Sequence, residues 1–357
     1  MIDISPSGHT AISDTHGRPH VDEELAEWLR RNTLQHGVVS LTSTLSAATA
    51  LSERNIRPGG GRTYAYLSAL VTAGFVDATV ARVIEPHLDA HAILHQAGLS
   101  ALIPRIDADE AATWGVFAAN AAGHHLEAHR DDLGWTLSGT KPWCSLAQSL
   151  SHAVITADLP GGGSGAFAVR LDRESVTPLP ARWVSRGLSE VVSTGIRIDG
   201  LPAIQVGDAG WYLTRPGFSW GAIGVAAVWF GIALGLYDHM CQQVDRRPPD
   251  QLALADMGTV DYDLFAAQLS LHHAADEIDA GRAVGDKGDI LALRVRAVVA
   301  RMVHNVLTVV GAALGPGPLT QDEEYARRTA DLTVYVRQHH GERDLVRLAE
   351  LLRSTPC

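Results

Sequence analysis

From Trp220 to Tyr237 the chain runs WGAIGVAAVWFGIALGLY without one charged side chain. A stretch of that length is near the lower limit for spanning a bilayer, or it is a helix enclosed by other helices. It is rich in Gly and Ala and has no flanking basic anchors, so the enclosed helix is the reading adopted, with no membrane span. Such a helix needs apolar partners. Leu291, Val295, Val298, Met302, Val306 and Val310 supply one, recurring every three or four residues along Asp289 to Leu314. Leu264 to Asp279 and Glu323 to Leu352, the latter interrupted near Gly341, predict two more. Long helices with apolar stripes bury them against one another, so the C-terminal part is expected to be a helix bundle.

The period is different upstream. Between about Trp114 and Gly210 it is two: HLEAHRDDLGWTLSG alternates on both sides of an Asp-Asp-Leu-Gly turn, HAVITADL and GAFAVRL flank a Gly-rich loop, and STGIRIDGL reads as another strand. From about Val21 to Ala111 the spacing is helical and Ala- and Leu-rich, with breaks expected at RPGGGR (57–62) and at EPH (85–87). The expected fold class is therefore α+β multidomain: a helical N-terminal domain over 1–112, a central β domain over 113–212 and a C-terminal helical bundle over 213–357. Helices, then strands, then helices exclude an alternating βαβ chain.

Composition narrows the function classes. With 357 residues, 46% apolar and 19% charged, the chain is globular, and its net charge of -11 argues against nucleic acid as a partner. The first twenty residues lack a basic start followed by an apolar run, which argues against export. Three cysteines, Cys144, Cys241 and Cys357, form no CxxC pair and suit a reducing cytoplasm, the expected location.

Several familiar constellations are missing: GxGxxG after a strand, GxxxxGK[ST], HExxH and GxSxG. PGGGSG (160–165) reads as a hairpin loop, because no helix with a basic or hydroxyl partner follows it. His87, His91 and His95 have the spacing that lets two imidazoles share a helix face. No carboxylate or Cys stands at a matching position, so a polar helix face is expected there and no metal site.

One stretch carries more. GWTLSG (134–139) continues into TKPWCS, and with the order of domains it resembles the acyl-CoA dehydrogenase family, whose strand reads GW-x-LNGTK-x-W-I-T/S. GLSEVVSTGIRIDGLPA (187–203), GAIGVAAVWFGIALGLYD and the segments VVGAALGPG and YARRTADL (309–332) are weaker matches. The resemblance spans roughly Ala111 to the C-terminus. It implies a four-helix bundle at the C-terminus and FAD bound between the bundle and the β domain.

By that resemblance Trp143 packs on the flavin ring and Ser145 offers its hydroxyl to the N5/O4 edge. An aromatic face gives a planar ring a large contact area, and a donor at N5 stabilises charge on reduced flavin. Backbone near Gly311 and Gly315 would border the adenine or pyrophosphate end, and Arg247, in the shortened DRRPPDQ (245–251), is a further FAD-binding candidate. Departures are equally informative. AANAAGHH (118–125) replaces TEPxAGSD, and Ala222 stands where a basic residue usually follows two glycines. The usual catalytic glutamate is missing too. His340, followed by Gly341, occupies its position, and the alternative position for the acid corresponds to about Gly221. An imidazole can serve as base near neutral pH, which makes His340 the catalytic candidate.

The leading expectation is an FAD-dependent oxidoreductase performing two-electron oxidation of a small substrate, with a CoA thioester among the candidates. A flavin-dependent monooxygenase on the same fold is the second reading. A catalytically silent subunit or binding module that needs a partner chain is the third. The expected assembly is a homo-oligomer, dimer or tetramer, with a hetero-oligomer as the alternative.

Overall fold

The structure is a computed structural model that describes residues 21–99, 108–171, 174–180, 182–246 and 250–354. Four helices come first: α1 (Glu23–Thr33), α2 (Leu41–Ser52), α3 (Thr63–Val76) and α4 (Ala78–Gln96), with a small hairpin, β1 (Leu34–Gln35) and β2 (Val38–Val39), after α1. Asp22, Ser40 and Asp77 cap α1, α2 and α4 by accepting first-turn backbone N–H groups. The break expected at EPH does not occur, because Pro86 lies inside α4. Proline removes one backbone bond to the carbonyl four residues back. Packing of α4 against α2, α3 and α6 (Pro216–Asp245) keeps the helix continuous through that loss.

Seven strands follow: β3 (Trp114–Phe117), β4 (Leu126–Asp131), β5 (Gly134–Lys141), β6 (His152–Asp158), β7 (Ser164–Arg170), β8 (Val176–Pro178) and β9 (Ile196–Val206). They form one sheet in the order β3-β6-β4-β5-β9-β7, with β8 on β9, and a β6–β7 pairing closes the path. The β4–β5 hairpin turns at Asp132-Leu133, with Asp131 opposite Gly134, and Gly162 and Gly163 take positive φ in the β6–β7 turn. Both turns lie where the sequence pattern placed them.

After a short α5 (Trp211–Thr214), α6 is packed with α7 (Gln251–Asp279), α8 (Gly285–Leu314) and α10 (Glu323–Tyr335); α9 (Pro316–Gln321) and α11 (Glu342–Ser354) complete the C-terminal part. α6 is long and apolar enough to cross a membrane by length and composition, but 78% of its most apolar window is buried inside the protein. It is the central helix, in contact with α3, α4, α7, α8 and α10. α8 passes the same length and composition test with 33% of its window buried.

Candidate functional site at the junction of the β domain and the helices

The chain leaves β5 through a constrained turn. Lys141, 3% exposed, donates from Nζ to Asn120 Oδ1 (3.0 Å), Thr156 O (2.7 Å) and Thr156 Oγ1 (2.8 Å), and burial lowers its pKa to about 8. Two residues on, Trp143 has a φ of 57°, a left-handed backbone that few bulky residues adopt, and its side chain is 58% exposed. Leu146 has a φ of 58° as well. Backbone bonds from Cys144 N to Thr194 O (3.0 Å) and from Leu146 N to Val192 O (2.8 Å) pin this turn to the segment before β9. The Trp143 indole is thus largely exposed on a left-handed backbone, a combination found more often at functional sites than in packed cores.

Ser145 connects the turn to the helices. Its Oγ lies 2.8 Å from Ser193 Oγ and accepts from Arg82 Nη2 at 3.3 Å. Arg82 belongs to α4, and Glu85 and Asp89 follow on the same face, three and seven residues on. Arg82 Nη1 donates to Glu85 Oε2 (3.0 Å) and to Tyr335 Oη (3.3 Å), and its guanidinium lies 4.9 Å from the centre of the Tyr335 ring. Burial pushes the Glu85 carboxyl up to about 7, against the opposing pull of Arg82. Burial raises Asp89 too, with Arg215 opposing; Arg215 Nη2 is 3.7 Å from Asp89 Oδ1. Arg296 of α8 donates to Ala222 O (3.0 Å) and Gln338 O (2.8 Å) and covers the Trp229 ring at 4.7 Å. Tyr66 Oη, Arg215 Nε and Trp229 Nε1 are buried without a protein partner. Polar atoms in that state mark a place built for water or a ligand.

The residues expected from the sequence are distributed over three places. Trp143 and Ser145 stand at the strand end just described. Gly311 lies in the last turn of α8, and Gly315, with φ 66°, ends that helix. Gly311 is about 22 Å along α8 from Arg296 at 1.5 Å per residue. A cleft of about 500 Å³ lined by His239, Gln243, Ala313, Leu314 and Gly317 adjoins that end. Arg247 lies outside the described residues. His340 is exposed, with Nδ1 3.3 Å from Asp344 Oδ1, and lines a separate cleft of about 320 Å³ with Phe218, Ala222, Leu293 and Arg296. His339 faces inward instead, 11% exposed, its ring centre 6.5 Å from that of Trp229. At Gly221, a Cβ would lie 3.2 Å from Asp89 Oδ1, so a carboxylate from α4 stands at the second position considered for the acid.

The three histidines of α4 differ: His95 is exposed as a polar face requires, His91 is half-buried and His87 is enclosed. His87 is 1% exposed, and its Nδ1 accepts from the Trp114 backbone N–H at 3.2 Å, which ties α4 to β3. That bond leaves the ring proton on Nε2 of the neutral imidazole, and burial lowers the His87 pKa to about 3. Among the described residues no group of three or more His, Cys, Asp or Glu side chains could hold a metal ion.

Sequence reasoning missed Arg82, Glu85, Asp89 and Tyr335. A signal existed in ATVARVIEPHLDAHAILHQ, where three charges at spacings of three and four interrupt an otherwise apolar helix.

No family model matches the chain, and no curated protein matches it. Solved structures do. Nitrososynthase from Micromonospora carbonacea var. africana superposes with a TM-score of 0.76 at 18% identity, covering 96% of this chain and 98% of that one. KijD3 in complex with dTDP gives 0.75 at 20% identity, covering 93% and 94%. Butyryl-CoA dehydrogenase from Megasphaera elsdenii gives 0.75 at 17%, also covering 93% and 94%. The chain has the acyl-CoA dehydrogenase fold: helical N-terminal part, β domain and C-terminal helical bundle.

Proposed function

We propose that this chain is a flavin-dependent oxidoreductase, located in the cytoplasm, that oxidises a small polar substrate by two electrons at the Trp143–Ser145 end of β5. The observation that carries the reading is the unbroken contact from that strand end into a buried charged seam, Ser145 to Arg82 to Glu85 and Tyr335. The flavin supplies a two-electron acceptor and, once reduced, a means of activating O2. Trp143 gives the ring a face to stack on, and Ser145 gives its edge a hydroxyl. Arg82 orients Ser145 and places positive charge next to it. Burial raises both Glu85 and Asp89, which places two carboxyls able to exchange protons nearby. A fatty acyl chain needs an apolar slot, and the seam presents Arg82, Glu85, Asp89 and Arg215, which favours a polar substrate over a long acyl-CoA.

Monooxygenation is the second reading, and the exposed place of His340 favours it, since an exposed imidazole paired with Asp344 is a poor base for a proton in a buried site. FAD is the cofactor the resemblance implies. FMN stands beside it, because a second KijD3 structure contains FMN with a dTDP-amino-keto-sugar, at 21% identity and TM-score 0.71.

The test is the visible spectrum of the purified protein titrated with FAD and with FMN, followed by O2 uptake of the reduced protein with amino-sugar nucleotides and with butyryl-CoA. Bound flavin is expected. Trp143→Ala is expected to weaken it by roughly thirtyfold, about 2 kcal/mol of lost aromatic contact, with little change in Tm because the indole is largely exposed. A protein that rejects both flavins supports the silent-subunit reading instead.

A further inference from the structure

Glu85 lies inside α4 and is 6% exposed. It is a buried carboxyl gripped on one oxygen by a guanidinium that also touches Ser145. The groups facing it from neighbouring elements hold fixed charges. Tyr335, at the end of α10, is pushed up to about 12 by burial, and Tyr66 of α3 is pushed far up by the same cause, so both stay neutral. Arg82 remains a cation, and so does Arg296 of α8. Asp89, one helical turn further along α4, is itself raised by burial with Arg215 opposing, and its charge helps push Glu85 up.

We propose that Glu85 is the redox-linked proton acceptor of this site: when two electrons enter the ring held at Trp143 and Ser145, the Glu85 carboxylate takes one proton from solvent. The inference rests on the flavin reading above. Arg82 spans Ser145 Oγ and Glu85 Oε2 at 3.3 and 3.0 Å, so negative charge gained beside Ser145 competes with Glu85 for one guanidinium. At an effective dielectric of about 20, a unit charge within about 10 Å changes a carboxyl protonation equilibrium by about tenfold. Burial pushes Glu85 up to about 7, against the pull of Arg82, so added negative charge shifts a carboxyl that is already poised to take a proton near neutral pH. Electrons come from an external donor and two protons from water: one that the reduced ring itself would take up, leaving it with a single negative charge, and one for Glu85. Arg82 keeps its own proton throughout.

The measurement is the reduction equilibrium of the flavin-loaded protein against a reference dye, with xanthine and xanthine oxidase as electron source, from pH 6 to 9. Wild type is expected to gain about tenfold relative to Glu85→Gln at the acid end compared with the alkaline end, about 30 mV. Asp89→Asn is expected to keep the size of the wild-type step while moving it to lower pH, because Asp89 is one of the charges that raise Glu85. Parallel curves for wild type and Glu85→Gln overturn the proposal, and so does loss of the pH effect in Asp89→Asn alone. Should Glu85→Gln not fold, the redox-difference infrared spectrum of wild type decides: a protonated-carboxyl band must grow on reduction, and its absence sinks the idea. A protein that binds neither FAD nor FMN overturns the flavin reading itself, a separate result from parallel curves in a flavin-loaded protein.

Discussion

At the scale of single residues, the site is decided by which charges are buried and what they touch. Glu85 makes this measurable without any substrate. Its pKa rises from the usual 4.5 to about 7 in the folded chain, chiefly through burial. Between those values the folded chain holds a proton that the unfolded chain has released, so this group's contribution to stability is fully present below pH 4.5 and is lost as pH rises through 7. The loss is up to about 3 kcal/mol for this group. Chemical denaturation at pH 5 and pH 8 is expected to show that loss in wild type and a flatter profile in Glu85→Gln; equal slopes in the two proteins would contradict the burial argument. Residue identity alone does not expose this. Glu85 precedes a proline and reads as the end of a helix, and only the continuation of α4 through Pro86 brings Arg82, Glu85 and Asp89 onto one inward face.

At the scale of elements, α3 and α6 set how closely the helical layers approach. A Cβ added at Gly231 would overlap the Val71 carbonyl, and one at Gly74 would come within 2.5 Å of the Val228 carbonyl. The two glycines therefore let backbone meet backbone where the helices cross. Gly231→Ala is expected to destabilise the protein by about 2 to 4 kcal/mol through forced separation of α3 and α6, read as a fall in Tm, despite the better helix propensity of alanine. An unchanged Tm would mean that the crossing can open without loss. The Gly and Ala content of this run marks a packed helix in the sequence. Which glycines face a neighbour, and that α3 is that neighbour, follows only from the crossing itself.

For the whole molecule, the unsatisfied surface is apolar. Tyr262, Phe265 and Leu269 lie on one face of α7, 60%, 40% and 40% exposed, and Val298 of α8 is 38% exposed. Scattered exposed apolar side chains are ordinary, whereas a stripe at helical spacing is an interface feature. We propose that a second copy of this chain covers it, giving the dimer or tetramer expected from the sequence. Light scattering after gel filtration is expected to give a multiple of 38.1 kDa, and Phe265→Asp to shift it toward the monomer. A monomeric wild type would exclude this use of the surface.

Periodicity and punctuation determined the order of helices, strands and helices, both hairpin turns and the enclosed place of Trp220 to Tyr237, because amphipathic spacing and turn chemistry are local. The motif around Trp143 and Ser145 is legible for the same reason: its residues are consecutive. The tertiary structure alone decided what Ser145 touches. Arg82, Ser145, Arg296 and Tyr335 are separated by tens to hundreds of positions, and buried charges find partners through folding, which sequence spacing does not encode. It also set His339 apart from His340: both meet Asp344, but only His339 packs inward against Trp229 while His340 is exposed.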